Sequence, residues 1–300
     1  MRGIIPHLWF DTQAVEAATF YCDTFPDSRV TQVTTLRGTP SGHTDSVAFE
    51  LFGQPFMAIS AGPLFEFNPS LSFTVACETA AEVDRYWQRL SEGGAPLMEL
   101  GSYPFSERYG WTTDRYGLSW QVSLAADGEV GQRITPSLLF VGDVNGRAEE
   151  AIRAYTSVFP DAGVDAIVPY GDDHAPNAAD DVMYASFRLA GQQFTAMDSA
   201  LGHAFGFNEA VSLLVHCDDQ DELDRVTDAL SAVAEAEQCG WIKDRFGMSW
   251  QISPVELHQM LAADSDEQVA RVTEAFLAMK RLDLAELRRA YHGTATAHPR

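Results

Sequence analysis

Three hundred residues, 46% of them hydrophobic, are enough to bury a large core and set an expectation of about two domains. Forty-three acidic residues against 20 basic ones leave a net charge of −23. That balance argues against nucleic acid, whose binding needs clustered Lys and Arg, and against anionic membrane surfaces, and it predicts a strongly solvated acidic exterior. Lysine occurs only at Lys243 and Lys280, so Schiff-base chemistry has few candidates, and the cysteines Cys22, Cys77, Cys217 and Cys239 form no CxxC pair.

In chain order, residues 4–10 alternate like a half-buried strand, and residues 14–25 carry apolar side chains at helical spacing until Pro26-Asp27 ends the run. Strands follow at about 45–52 and 56–60, joined by a turn at Gly53-Gln54. After a loop at 61–69 come a strand at 71–77, a helix at 80–91 that stops before Gly93-Gly94, and a last strand at 118–124. The segment Asp114-Arg115-Tyr116-Gly117-Leu118-Ser119-Trp120-Gln121 then returns as Asp244-Arg245-Phe246-Gly247-Met248-Ser249-Trp250-Gln251, and Phe25-Pro26-Asp27 returns as Phe159-Pro160-Asp161. One fold is therefore written twice. The second copy runs over 134–253, with helices at about 147–159 and 220–234 and a hairpin turn at Ala190-Gly191-Gln192. The boundaries read as 1–127 for the first domain, 133–254 for the second, and 255–300 for a tail of about three short helices, with 128–132 as the join. The tail is expected to pack on the outer surface of a domain; a regulatory or partner-binding tail is the alternative. No charged-then-apolar leader opens the sequence and no apolar run reaches the roughly 18 residues a membrane helix needs, so the expectation is a cytoplasmic, reduced protein without a membrane partner.

Several motifs resemble the PhnB-like family of the vicinal-oxygen-chelate superfamily, which includes glyoxalase I. They are Trp9-Phe10-Asp11, Phe20-Tyr21, the loop from Gly62 through Phe67 to Asn68, Tyr103-Pro104-Phe105, Gly110-Trp111, the two repeated segments, Phe205-Gly206-Phe207-Asn208, and Met279-Lys280-Arg281-Leu282-Asp283. The resemblance implies an α+β fold of tandem domains, each of two βαβββ modules with curved mixed sheets that enclose a cavity. It also implies a fused version of the superfamily's dimer, leaving a monomer as internal pseudo-dimer or a further homodimer open. A frequent label in this family, 3-demethylubiquinone-9 3-methyltransferase, implies a methyl-donor site, yet the chain has no glycine-rich strand-to-helix turn of the dinucleotide type.

Alternation in the first strand puts Ile5, His7 and Trp9 on one face and Pro6, Leu8 and Phe10 on the other. In the last strand Ser119 and Gln121 oppose Trp120 and Val122, and the more polar set should face the cavity. By the resemblance, His7 matches a metal-holding histidine and Gln121 the position of a metal-holding glutamate, so a divalent metal is the implied cofactor. In copy two, Ser137 stands at the place of His7 and Gln251 at that of the glutamate, with Asp198 and His216 as the remaining donors. The alternatives are a His7–Gln121 hydrogen bond across the cavity, glutamines that tie adjacent strands, an edge histidine at 216, and a turn or capping aspartate at 198.

Trp9, Phe65, Phe67, Tyr103, Phe105 and Trp111 bunch near loops that should close over the cavity of copy one, either as walls of a small-molecule site or as core. Residues 95–109, an insertion specific to that copy, suggest a lid or domain contact whose Arg108, with Arg115, could receive an anionic group; for Arg115 the alternative is a salt bridge with Asp114 or a partner strand. Trp120 and Trp250 are expected in the core, and Gly117 and Gly247 at positive φ. No Gly-x-Ser-x-Gly elbow or phosphate-binding loop is present. The leading functional expectation is a binder of a small organic molecule, with or without catalysis. The alternative is a metal-dependent lyase, isomerase or dioxygenase, and a third is the methyltransferase of the family label.

Overall fold

A computed structural model describes residues 1, 3–126, 130–263 and 265–293. Part of the join at 128–132, residue 127 at the end of the first expected domain, and the tail beyond 293 lie outside the described residues. Copy one comprises β1 (Ile4–Phe10), α1 (Ala14–Thr24), β2 (Arg29–Thr39), β3 (Gly42–Leu51), β4 (Gln54–Ser60), β5 (Leu71–Cys77), α2 (Ala80–Ser91), β6 (Ala95–Tyr103), β7 (Ser106–Thr113) and β8 (Ser119–Leu124). Copy two comprises β9 (Ile134–Val141), α3 (Ala148–Val158), β10 (Gly163–Pro169), β11 (Val182–Leu189), β12 (Gln192–Ser199), β13 (Val211–Cys217), α4 (Gln220–Leu230), β14 (Trp241–Lys243) and β15 (Ser249–Pro254). The tail is α5 (Val255–Leu261), α6 (Asp266–Ala278) and α7 (Leu284–His292). No described helix is long and apolar enough to cross a membrane.

The copies do not form separate sheets. The seven-stranded sheet runs β14-β15-β13-β1-β4-β3-β2 and the eight-stranded sheet β10-β11-β12-β9-β5-β8-β7-β6. Each sheet thus joins the first half of one copy to the second half of the other. The seams are antiparallel pairs, β1 with β13 (Ile4 opposite Val215) and β5 with β9 (Leu71 opposite Leu138). A hollow belonging to copy one alone, as expected from the sequence, is therefore corrected to a hollow built from both copies. The seam strands are apolar on their helix-facing side, and neither copy can bury that side without the other.

The repeated segment explains itself at this level. Asp114 is buried and takes four hydrogen bonds, from the Tyr21 hydroxyl (2.7 Å), Trp120 Nε1 (2.9 Å) and the backbone N–H groups of Tyr116 (2.8 Å) and Leu118 (3.0 Å). Asp244 is held in the same way by Tyr155, Trp250, Phe246 and Met248. Gly117 and Gly247 turn the chain at φ +87° and +86°, where a side chain would be strained. Trp120 and Trp250 are fully buried in the core. The buried thiols of Cys77 and Cys217 are pushed up to about 12 by desolvation.

Three further expectations are corrected. β2 and its counterpart β10 were not anticipated, because these edge strands are largely exposed and carry no buried alternation to read. Residues 95–109 are not a lid loop: they form most of the β6–β7 hairpin, paired with Tyr103 opposite Ser106. The helix expected to run from 220 to 234 stops at Leu230, where Ala232 N–H donates to the Lys243 carbonyl (2.9 Å) and draws the chain toward β14.

The tail, too, is placed differently from expectation. α6 packs on β2, and α5 turns Leu257, His258 and Leu261 toward the hollow of the seven-stranded sheet. Two backbone bonds lock it down, Cys239 N–H to the Met279 carbonyl (2.8 Å) and Gly240 N–H to that of Lys280 (2.9 Å). Gly240 sits at φ +83°, and a Cβ there would come within 2.8 Å of the Ile252 carbonyl oxygen and 3.0 Å of Leu282. Tail and sheet meet too closely for any larger residue.

The paired aspartates set a stability prediction. Asp114→Ala strands four donors and should cost about 3–4 kcal/mol in urea unfolding, with Tyr21→Phe and Tyr155→Phe each costing about 1–2 kcal/mol. An Asp114→Ala protein within about 0.5 kcal/mol of the parent, the range of ordinary surface changes, would rule the clamp out.

Candidate functional site

The inner face of the seven-stranded sheet is set by strand alternation. His7 and Trp9 on β1, Met57 and Ile59 on β4, Leu214 on β13 and Gln251 on β15 all face one cavity of about 380 Å³. The tail closes it from above with Leu257, His258, Leu261, Phe276 and Leu277. A smaller hollow of about 180 Å³, lined by Ile5, Ala48 and His216, adjoins it through the shared residues Leu36, Ser46, Met57, His258 and Leu261.

Aromatic rings form one wall. Trp9 meets Phe65 edge-on at 5.1 Å and Trp241 at 5.9 Å, and His7 meets Trp241 edge-on at 5.7 Å. Trp9 Nε1 donates to the Gly62 carbonyl (2.8 Å), which fixes the ring and keeps its polar edge satisfied. Histidines mark the other end. The rings of His216 and His258 lie 4.4 Å apart, and both His7 Nδ1 and His258 Nε2 are buried without a hydrogen-bond partner. Burial alone holds the His7 imidazole down to about 3; burial, then the neighbouring His216 and His7, does the same to His258. Both rings are therefore neutral at physiological pH.

The eight-stranded sheet presents the matching face in a different state. Gln121 Nε2 donates to Ser72 Oγ (2.7 Å) and its Oε1 accepts from the Tyr109 hydroxyl (2.7 Å). Ser137, the counterpart of His7, shares hydrogen bonds with Thr74 (2.8 Å) and Thr195 (2.7 Å). The polar groups there satisfy one another.

These placements separate residues that the sequence grouped together. His7 and Gln121 stand on different sheets, so neither a shared metal nor a His7–Gln121 hydrogen bond is available. Gln251, tied to Ser212 (2.9 Å), is the glutamine on the sheet of His7. Asp198 and His216 are likewise on different sheets. Asp198 is a buried cap, accepting from the backbone N–H groups of Gly146 (2.8 Å), Ala148 (3.2 Å) and Val182 (2.9 Å). Of the aromatic candidates, Trp9 and Phe65 line the cavity, whereas Phe67 packs on Phe10 at 5.0 Å. Tyr103 and Phe105 stack near Tyr109 at the far hairpin, and Trp111 bonds Ser119 (2.8 Å) on the eight-stranded sheet. Arg108 pairs with Asp84 (2.7 Å) on α2, and Arg115 with Glu92 (3.1 Å) rather than Asp114. Neither guanidinium reaches the cavity.

Two lining residues went unrecognised as candidates. Trp241 was legible through the repeat, as the counterpart of Trp111. His258 carried a weaker signal, sharing a helical face with Leu261 three residues on. The donors do not fit a divalent ion: among the described residues no three His, Cys, Asp or Glu side chains converge, and the carboxylate at the cavity, Glu209, is held by Lys243 at 2.7 Å.

Two matching curved sheets with a hollow under one of them define a tandem protein of the vicinal-oxygen-chelate fold. The family model for 3-demethylubiquinone-9 3-methyltransferase matches residues 2–123 and again 132–253, and the chain belongs to that family. Among solved structures, the PhnB protein of Bacillus cereus is 39% identical over 40% of this chain and 98% of its own, with a TM-score of 0.38. A point mutant of Zea mays glyoxalase I is 10% identical over 83% of this chain and 91% of its own, with a TM-score of 0.52. A Bacillus subtilis chain provisionally assigned as a dioxygenase is 12% identical over 99% and 97%, with a TM-score of 0.50. The last two share the fold. No curated protein matches the sequence. His258 lies outside both family matches.

The depressed histidine gives a pH prediction. The fold accepts the neutral His258 ring, while the unfolded chain takes up its proton near pH ~6.5. Stability is therefore complete above that pH and is lost as pH falls toward about 3, by up to about 1.4 kcal/mol per pH unit for this group. His258→Leu should flatten the fall in urea-unfolding free energy between about pH 6 and pH 4 by close to one proton. An unchanged slope would mean the ring titrates freely in the folded protein.

Proposed function

We propose that this protein binds a small organic molecule in the cavity beneath the tail, one molecule per chain. The observation that carries the reading is a hollow of about 380 Å³ with aromatic and aliphatic walls and a few polar groups. Small-molecule sites span roughly 300–1,000 Å³ and have this make-up. The hydrogen-bond ladder around Ser137 and Gln121 supports a single site, because these described residues of the opposite sheet, the counterparts of His7 and Gln251, already bond one another or their neighbours. The first copy contributes His7 and Trp9, the second Trp241 and Gln251, and the tail His258 and Phe276. Binding is thus a property of the fused pair and not of either repeat. No catalytic step is assigned, since the nearest carboxylate is neutralised by Lys243 and the donors do not converge on a metal.

Trp9 and Trp241 make the test direct. Titration with two-ring aromatic compounds should quench tryptophan fluorescence saturably, at one site per chain. Leu214→Trp, which places a large ring where the buried Leu214 meets the cavity, should abolish that quenching while the circular dichroism spectrum stays unchanged. Saturable quenching that survives in a folded Leu214→Trp protein, or none with any compound, would refute the reading.

A further inference from the structure

Resting on that reading, we infer that the ligand is an uncharged, planar molecule bearing a hydroxyl group, and that His258 of the tail helps select it. Charge supplies the first argument. No arginine or lysine lines the cavity among the described residues, and the charged residue that does, Glu209, already has Lys243 as its partner. An anionic ligand would leave water and meet no counter-charge, and a cation would meet a carboxylate that is already spent; either burial is strongly unfavourable. The flanking imidazoles offer no relief, because burial keeps them neutral.

Hydrogen-bonding capacity supplies the second. His7 and His258 both line the cavity, and each leaves one ring nitrogen buried and unpaired. Such an atom is costly to keep without a partner. A neutral imidazole presents one donor and one acceptor, and a hydroxyl can answer either once the ring turns that nitrogen toward the cavity. Ring geometry supplies the third. Trp9, Trp241 and Phe65 meet edge-to-face, leaving flat surfaces on which a planar molecule packs well. His258 is set apart from the family's shared positions, since it sits on α5 beyond both repeats and reaches the cavity only because the tail crosses the hollow.

Three probes of equal ring size separate these arguments when titrated against the full chain at about pH 7 by tryptophan fluorescence: 2-naphthol, naphthalene and 2-naphthoate. 2-Naphthol should bind about tenfold more tightly than either of the others, the equivalent of one good hydrogen bond. His258→Leu and His7→Leu should each bring the ratio of 2-naphthol to naphthalene affinity down toward one, whatever either change does to naphthalene itself. If naphthalene matches 2-naphthol, or 2-naphthoate binds most tightly, the ligand class is wrong although the binding site stands. If none of the three binds, the site itself is wrong and this inference falls with it. The comparison on the unmodified protein decides the ligand class even where a variant fails to fold.

Discussion

The buried carboxylates of Asp114 and Asp244 hold this molecule in its shape. α1 packs over β2, β3 and β4 of the seven-stranded sheet, yet its Tyr21 donates to Asp114, which leads into β8 of the eight-stranded sheet. α3 packs over β10, β11 and β12, and its Tyr155 reaches Asp244 beside β15 in the opposite sheet. Each clamp therefore crosses from one sheet to the other, and the pair is related by the duplication. Burial drives these carboxyls above their ordinary range, while four hydrogen bonds each draw them back. A group so costly to bury is kept where its donors come from a helix, a strand and a turn at once, because it then fixes how all three meet.

Other paired contacts repeat the logic at the seams. Gln54 at the start of β4 bonds both the N–H and the carbonyl of Ile134, and Gln192 at the start of β12 accepts from Ile4 N–H (2.7 Å). Asn68 donates to the Gly206 carbonyl (3.1 Å) and Asn208 to that of Glu66 (2.8 Å). These side chains bridge one copy to the other. The two copies are thereby fixed as one body, so a cavity with walls from both can keep a defined form.

Much of this was legible in the sequence where local chemistry and the repeat agreed. The alternation of residues 4–10, the helix ended by Pro26-Asp27 and the Asp-Arg-aromatic-Gly turn each declare themselves within a few residues; the repeat gave the tandem order, and the family resemblance implied the α+β fold. Pairing between distant strands does not declare itself in this way. Gln121 and Gln251 are identical in their local setting, and only the exchange of halves between sheets decides which of them stands with His7. Tyr103, Phe105 and Arg108 looked like a lid because an insertion rich in aromatics has no signature that tells a loop from an irregular hairpin. Their hairpin carries register shifts, which blur the alternation that would have revealed it. His258 was hidden for a different reason: where the tail would lie depended on an apolar hollow that no window of sequence displays.

Duplication alone would give two equivalent hollows, and the structure breaks that equivalence at both levels. At position 137 the second copy has a serine that closes a hydrogen-bond ladder, while at position 7 the first has a histidine whose Nδ1 is left over. The tail exists once and covers the sheet that carries the histidine. Leu257, Leu261 and Phe276 of the tail add apolar wall to the cavity that Met57 and Leu214 line from the sheet. Burial takes the His7 ring out of water, which is why the ring is neutral. On the opposite face, Gln121, Tyr109, Ser72, Ser137, Thr74 and Thr195 bond one another. An apolar chamber with unpaired nitrogens results where one half of a near-symmetric pair is roofed by the tail, while the polar groups of the other half bond one another.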